Sequence, residues 1–246
     1  YMQNDKNFLG TAPIGKLLLK LSIPTVIAQL INMLYNVVDR IYIGHIPGEG
    51  SLALTGVGVC MPIIMIVTAF AALISSGGAP RASICMGKQD NKSAEQILGN
   101  CFSLQIVVSI VLTVVLLIWN KDLLMVFGAS KNTLGYATDY MRIYALGTLF
   151  VQLTLGMNAF ITAQGFTTTS MVSVLIGAIC NITLDPVFIF VFNMGVKGAA
   201  LATVLSQAIS TIWVVVFLSG KKTQLHLRKK YMGLKPKVFL PCVALG

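Results

Sequence analysis

The chain has 246 residues, of which 56% are hydrophobic and only 11% charged, against about 25% charged in a typical soluble domain. With a mean hydropathy of +0.82, that composition excludes a water-coated globule, a disordered chain, a collagenous chain and a disulfide scaffold. In so apolar a chain the net charge of +10 reads as Lys and Arg gathered on the cytoplasmic flanks of membrane spans, not as a nucleic-acid footprint.

Charge-free runs mark the spans, since a helix crossing the hydrocarbon needs about 20 mostly apolar residues. There are 18 uncharged residues between Lys20 and Asp39, 31 between Glu49 and Arg81, and 25 between Glu95 and Lys121. The 42 between Arg142 and Asp185 are too many for one span. They divide at the polar turn Gln164-Gly165-Phe166-Thr167-Thr168-Thr169-Ser170. A further 23 lie between Lys197 and Lys221. The expected fold is an all-α polytopic transmembrane bundle, with spans at 17–43, 53–79, 96–119, 137–163, 171–192 and 199–219. The expected organisation is a six-helix lobe over 1–220, a basic linker over 221–237 and the start of a seventh helix over 238–246. Tyr1-Met2 reads as a trimmed end, with Met2 as a candidate start. The first apolar stretch is too long for a cleavable signal sequence and lacks a small-residue cleavage site.

Orientation follows the distribution of Lys and Arg. With the N-terminus in the cytoplasm, thirteen basic residues face inward, among them Lys6, Lys16, Lys20, Arg81, Lys88, Lys92 and the cluster from Lys221 to Lys237. Only Lys121, Lys131 and Lys197 occupy outer loops. Arg40 and Arg142 lie near outer helix ends, where long side chains snorkel. The linker itself reads as a topology signal and a contact for anionic lipid.

The five cysteines, Cys60, Cys85, Cys101, Cys180 and Cys242, form no CxxC and read as free, buried thiols. His45 and His226 are far apart and give no metal-ligand spacing. There is no nucleophile–base pair, dinucleotide fingerprint or Walker loop, which argues against an enzyme and against an ATP-driven pump.

Polar residues in mid-span carry the functional signal, because ionisable groups there are costly. Only Asp39 and Asp185 among the eight acids fall well inside spans. Asp139, near an outer end, is expected to pair with Arg142 three residues on. Gln29, Asn32, Asn36 and Asp39 share one stripe of the first span. Ser173, Gly177, Asn181 and Asp185 form another on the fifth. Thr154, Asn158 and Thr162 line the fourth, and Thr203, Gln207 and Thr211 the sixth. At 1.5 Å per residue, Asp39 lies about 28 Å from Lys20 and Asp185 about 22 Å from Ser170, while Thr203 enters about 8 Å past Gly198. The three therefore share a level in the outer half. Two carboxylates, an amide and a hydroxyl suit a hard cation or a proton. Pro186 is expected to free the carbonyl of Ile182 beside this cluster, and Pro24 to offer a bend in the first span.

The strings that carry these residues resemble the multidrug and toxic compound extrusion (MATE) transporters, in particular their bacterial branch. They are Pro24…Asn36-Val37-Val38-Asp39-Arg40-Ile41-Tyr42-Ile43-Gly44, Leu52-Ala53-Leu54-Thr55-Gly56 and Gly77-Gly78-Ala79-Pro80-Arg81-Ala82. Asn181-Ile182-Thr183-Leu184-Asp185-Pro186 and Gly195-Val196-Lys197-Gly198-Ala199-Ala200-Leu201-Ala202-Thr203 follow in the same order. The resemblance implies one lobe of a two-lobe antiporter in the bacterial inner membrane, exporting organic, often cationic, compounds in exchange for Na⁺ or H⁺. It implies a cation site of Asp39, Asn181, Asp185, Thr203 and Asn158, and a substrate path by Gln29, Asn32 and Asn36. The partners it implies are the lipid bilayer, a small organic substrate and a C-terminal lobe, without nucleic acid. No cofactor is expected beyond the coupling ion. The chain departs from relatives at Gln164-Gly165, where a basic residue is common. Two other readings are a lipid-linked saccharide flippase, disfavoured by acids and amides where a cationic cavity is needed, and an intramembrane aspartyl protease using Asp39 and Asp185.

Overall fold

The computed structural model describes residues 13–246, apart from the side chain of Lys16. The expected Tyr1-Met2 start and Lys6 lie outside the described residues. Among the described residues, six helices are long and apolar enough to cross a membrane. They are α1 (Ile14–Gly44), α2 (Gly50–Gly87), α3 (Asn91–Ile118), α5 (Leu134–Ala163), α6 (Thr167–Pro186) and α7 (Val196–Ser219). Between α3 and α5 lies a short helix, α4 (Asn120–Val126), and the chain ends in α8 (Pro236–Val243). The expected spans match these helices, with boundaries moved by a few residues.

The largest difference is at α2, which runs on from 79 to Gly87 through Pro80 and Arg81. A proline removes one backbone donor, but the helix continues where its next turn is buried. Here Ala79 and Ala82 both pack into the core. At about 1.5 Å per residue its 38 residues span roughly 57 Å, well beyond a hydrocarbon core of about 30 Å. The short α4 escaped the pattern because seven residues cannot show an apolar period. It forms because Leu124 is fully buried and Asp122 sits in its first turn, where the helix dipole favours an acid. Asp90 caps α3, accepting the Ser93 N–H at 3.0 Å. The Ser93 hydroxyl and then this backbone N–H hold the Asp90 carboxyl below its usual range.

The central helix is α5, packed against α2, α3 and α7. Two thirds of its span is buried inside the protein, against 6% for α1, which leans mainly on α6. Lipid is as apolar as leucine, so close approach and hydrogen bonds, more than water exclusion, hold such helices together. Gly177 of α6 shows this. A Cβ there would meet Ser210 Oγ of α7 at 2.5 Å, and in its absence Ser210 donates to the Ser173 carbonyl at 3.0 Å. Thr154 of α5 and Thr211 of α7 share a bond of 2.8 Å, and Thr211 also reaches the Phe150 carbonyl at 3.0 Å. These threonine stripes are helix–helix ties.

Two apolar clusters divide the core along the membrane normal. One, with Ile43, Val57, Ile63, Tyr140 and Ile189, lies at the Asp39 end. The other, with Ile74, Leu98, Phe160, Leu218 and Leu225, lies at the linker end. The linker is not a loose strap. It carries a 3₁₀ turn at Lys229–Tyr231, and Leu225 and Leu227 are buried in the lobe. The last helix begins at Pro236, where the missing N–H costs nothing, two residues before the expected 238.

Candidate functional site

Three helices bring their polar stripes to one level. The face of α1 that leans on α6 buries Asp39. The four-residue period of α6 places Asn181 and Asp185 one turn apart, both buried inside the bundle. From the other side α7 brings Thr203. The turn before α7 is tight: Asn193 and Gly195 take positive φ of 52° and 54°. The Met194 N–H returns to the Phe188 carbonyl at 3.1 Å. Gly198 then lies so close to this turn that a Cβ would stand 2.7 Å from the Phe188 carbonyl carbon. Only a glycine lets α7 pack this tightly, and Thr203 follows little more than a turn later.

Pro186 is the last residue of α6, yet the chain stays helical beyond it. Beyond it the helix widens into a π-helical turn, Val187–Val191. Such turns loosen the backbone ladder, and here the loosened segment directly follows Asp185.

The hydrogen bonds assign each group a role. The Asn181 side-chain amide donates to Asp185 Oδ1 at 3.3 Å and lies 3.5 Å from Thr203 Oγ1. The Thr203 hydroxyl spends its own proton on the Ala199 carbonyl at 3.0 Å, so only its lone pairs face the cluster. The carboxyl groups of Asp39 and Asp185 are close neighbours. Asp39 Oδ1, Asp185 Oδ2 and Asn181 Oδ1 are buried without a hydrogen-bond partner. The result is a cluster of acceptors with few donors. Buried acceptors in that state repel one another, and either a shared proton or an oxygen-seeking cation relieves them. Among the described residues no group of three His, Cys, Asp or Glu is placed to hold a metal. The donor set, two carboxylates with an amide and a hydroxyl oxygen, is instead the kind that takes a hard, weakly held cation.

Two residues at this site were not among the expected ones. Tyr140 of α5 is buried beside Thr203 and Asp39. Tyr35, one turn before Asp39, lies near both carboxyls. The four-residue spacing of Tyr35 from Asp39 was a usable signal. Tyr140 had none, because it reaches the site from another helix.

Asn158 stands apart. Its amide donates to Ser173 Oγ at 2.6 Å, and Ser173 precedes Asn181 by two turns, about 12 Å along the helix. The structure therefore does not bring Asn158 to the Asp39–Asp185 cluster. Gln29, Asn32 and Asn36 lie along α1 on its way to the linker end. Gln29 is exposed and the other two are half-buried, and Asn36 donates to the Asn32 carbonyl at 2.6 Å. Asp139 corrects an expectation as well. It pairs with Lys197 of α7 at 3.4 Å, not with Arg142, because the N-terminal ends of α5 and α7 converge there.

Fold and cluster together define a multi-pass membrane protein with acids deep in its bundle. The MatE family model matches residues 24–187, and the chain belongs to that family. The chain is 28% identical over 224 residues to the multidrug export protein MepA of Staphylococcus haemolyticus, covering 91% of this chain and 49% of that protein. It thus spans about half the length of the curated relatives it matches. Among solved structures it is similar to an outward-facing multidrug resistance MATE transporter of the MOP superfamily, with a TM-score of 0.85 and 25% identity over 93% of this chain and 50% of that one. It is equally similar to a MOP superfamily transporter from Pyrococcus furiosus, with a TM-score of 0.85 and 25% identity over 94% of this chain and 50% of that one. That transporter is described as having a binding pocket of reverse polarity, suggesting a different function. These similar proteins are transporters, not enzymes.

Proposed function

We propose that this chain forms the N-terminal lobe of a drug-exporting antiporter in the bacterial inner membrane, and that Asp39, Asn181, Asp185 and Thr203 bind the coupling ion, Na⁺ or H⁺. The observation that carries the reading is the meeting of Asp39 and Asp185 with three buried acceptor oxygens left without donors. Buried carboxylates kept only for structure are usually given donors, as Glu95 is by Arg228 and His226. An exchangeable cation needs them absent.

The residues divide the work simply. Asp39 sits on α1, the helix least buried in the bundle, so ion occupancy there biases the position of the element with the fewest ties. Asp185 precedes the π-helical turn, which lets α6 adjust as charge enters or leaves. Thr203 and Asn181 supply neutral oxygens whose protons are already committed. Gln29, Asn32 and Asn36 continue this face of α1 as the path for an organic, cationic compound. The resemblance to MepA, a multidrug export protein, supports the substrate class, and the acids and amides of the cluster suit a cation over an anion. The Lys and Arg distribution supports a cytoplasmic N-terminus and linker.

The test uses the protein that carries this chain, reconstituted in sealed vesicles. Export of a fluorescent organic cation is followed under a Na⁺ gradient and, separately, under a pH gradient, beside Asp39→Asn and Asp185→Asn. Gradient-driven export lost in both variants supports the reading and identifies the ion. Unchanged export in both moves the coupling site elsewhere.

A further inference from the structure

The linker end holds a second polar construction that the transport reading leaves unused. Gln164 Oε1 accepts three hydrogen bonds: from Thr223 Oγ1 at 2.7 Å, and from the Gln224 and Leu225 N–H groups at 2.9 Å each. Asn100 accepts the Lys235 N–H at 2.7 Å and donates to the Tyr231 carbonyl at 3.4 Å. Glu95, buried at the start of α3, receives Arg228 Nε at 3.0 Å and His226 Nδ1 at 3.4 Å. The linker is thus fixed at three stations, and it borders an open cavity of about 560 Å³ against the first turn of α3.

That cavity is strongly cationic. Lys92, Arg228 and Lys230 line it, with His226 and Tyr231 beside them. Its one acid is Glu95, whose oxygens are taken by Arg228 and His226. One lining carboxylate cannot neutralise three permanent cations, and Asp90, the other acid that acts on Lys92, lies outside the lining and is exposed to solvent. Neither Lys92 nor Lys230 forms an ion pair among the described residues, and Lys230 Nζ rests 4.6 Å from the centre of the Tyr231 ring. Arg228 meets Glu95 through Nε, yet half of its side chain stays exposed at 51%. Asn91 and Lys92 on the wall belong to the first turn of α3, whose dipole adds positive potential. Like charges held together by a pinned backbone are relieved by an anion with several acceptor oxygens, and phosphate presents such oxygens to Arg and Lys together.

We propose that this cavity binds a phosphate group, carried by an anionic phospholipid headgroup or by a soluble phosphate ester, with Lys92, Arg228 and Lys230 as its ligands. The inference stands on the cavity and its cations and does not depend on the antiport reading. The test places the protein that carries this chain in phosphatidylcholine nanodiscs, with or without phosphatidylglycerol, and adds inorganic phosphate in a separate arm. Native mass spectrometry counts bound phosphatidylglycerol, and protection of Lys92 and Lys230 from amine acylation reports inorganic phosphate. Lys92→Gln with Lys230→Gln is expected to weaken the bound probe about tenfold, while Lys121→Gln with Lys131→Gln, at the far end, leaves it unchanged. These are exposed lysines, and an unaltered thermal midpoint verifies the fold. Phosphatidylglycerol binding that depends on Lys92 and Lys230 supports a lipid headgroup; phosphate protection in pure phosphatidylcholine supports a soluble ester. Binding of neither probe, or binding indifferent to both lysines, overturns the proposal.

Discussion

The lobe buries acids at both ends and treats them in opposite ways. At the linker end Glu95 has an arginine, a histidine and the His226 N–H within 3.4 Å. At the other end Asp39 and Asp185 have each other, one amide donor from Asn181 and oxygens without partners. A carboxylate whose acceptor sites are filled by its own protein is a tie. A carboxylate left short of donors, in a place where charge is expensive, is on the proposed function a site that an ion enters and leaves. The contrast separates holding from exchanging within one small bundle.

Substitution tests that contrast directly. Asp185→Asn and Asp39→Asn are expected to reduce ion-driven export at least about 100-fold. The melting temperature should hold or rise, since each change removes a poorly compensated buried charge. A fall of many degrees in either variant would erase the distinction. Glu95→Gln is expected to do the reverse. It turns one carboxylate oxygen into an NH₂ donor, so Arg228 or His226 loses its acceptor and the ion pair its charge, at a cost of about 2 kcal/mol, a drop of roughly 4–8 °C in thermal unfolding. Export per folded molecule should stay near the parent level.

Two smaller changes sharpen the picture. Gly198→Ala drives a methyl group against the Phe188 backbone and is expected to cost about 1–3 kcal/mol. Because that contact sets where Thr203 lies, ion affinity measured by titration should weaken alongside stability. Thr203→Val keeps the shape and removes one oxygen. The expected loss is about tenfold in coupling-ion affinity, with little change in melting, and Thr203→Ser should restore it. An unchanged affinity in the valine variant would take Thr203 out of the ion's shell.

Much of this molecule was legible before its structure. Helix periodicity and hydropathy are local properties, so the six spans, the stripe from Gln29 to Asp39 and the stripe from Ser173 to Asp185 could be read from the chain. The mid-span acids were conspicuous for the same reason: a charge among apolar neighbours is costly wherever the helix lies. The extension of α2 past Pro80 was hidden because a proline's effect depends on whether the next turn is buried. The short α4 was hidden because its apolar residues answer to distant partners.

What the sequence determined by itself was which faces are polar and at what depth they lie, because each follows from 3.6 residues per turn and 1.5 Å per residue. Which faces meet was decided only by the tertiary structure. Rotation of α6 and the close seat of Gly198 bring Asp185 to Asp39 and Thr203, while the same rotation commits Asn158 to Ser173 two turns away. The N-terminal ends of α5 and α7 give Asp139 to Lys197 instead of Arg142. The linker, read as a basic run, became a fixed segment because Glu95, Asn100 and Gln164 wait for it on two other helices. The physical reason is common to all of these: a helix sets the spacing of its own groups, but its partners are chosen by the packing of its neighbours.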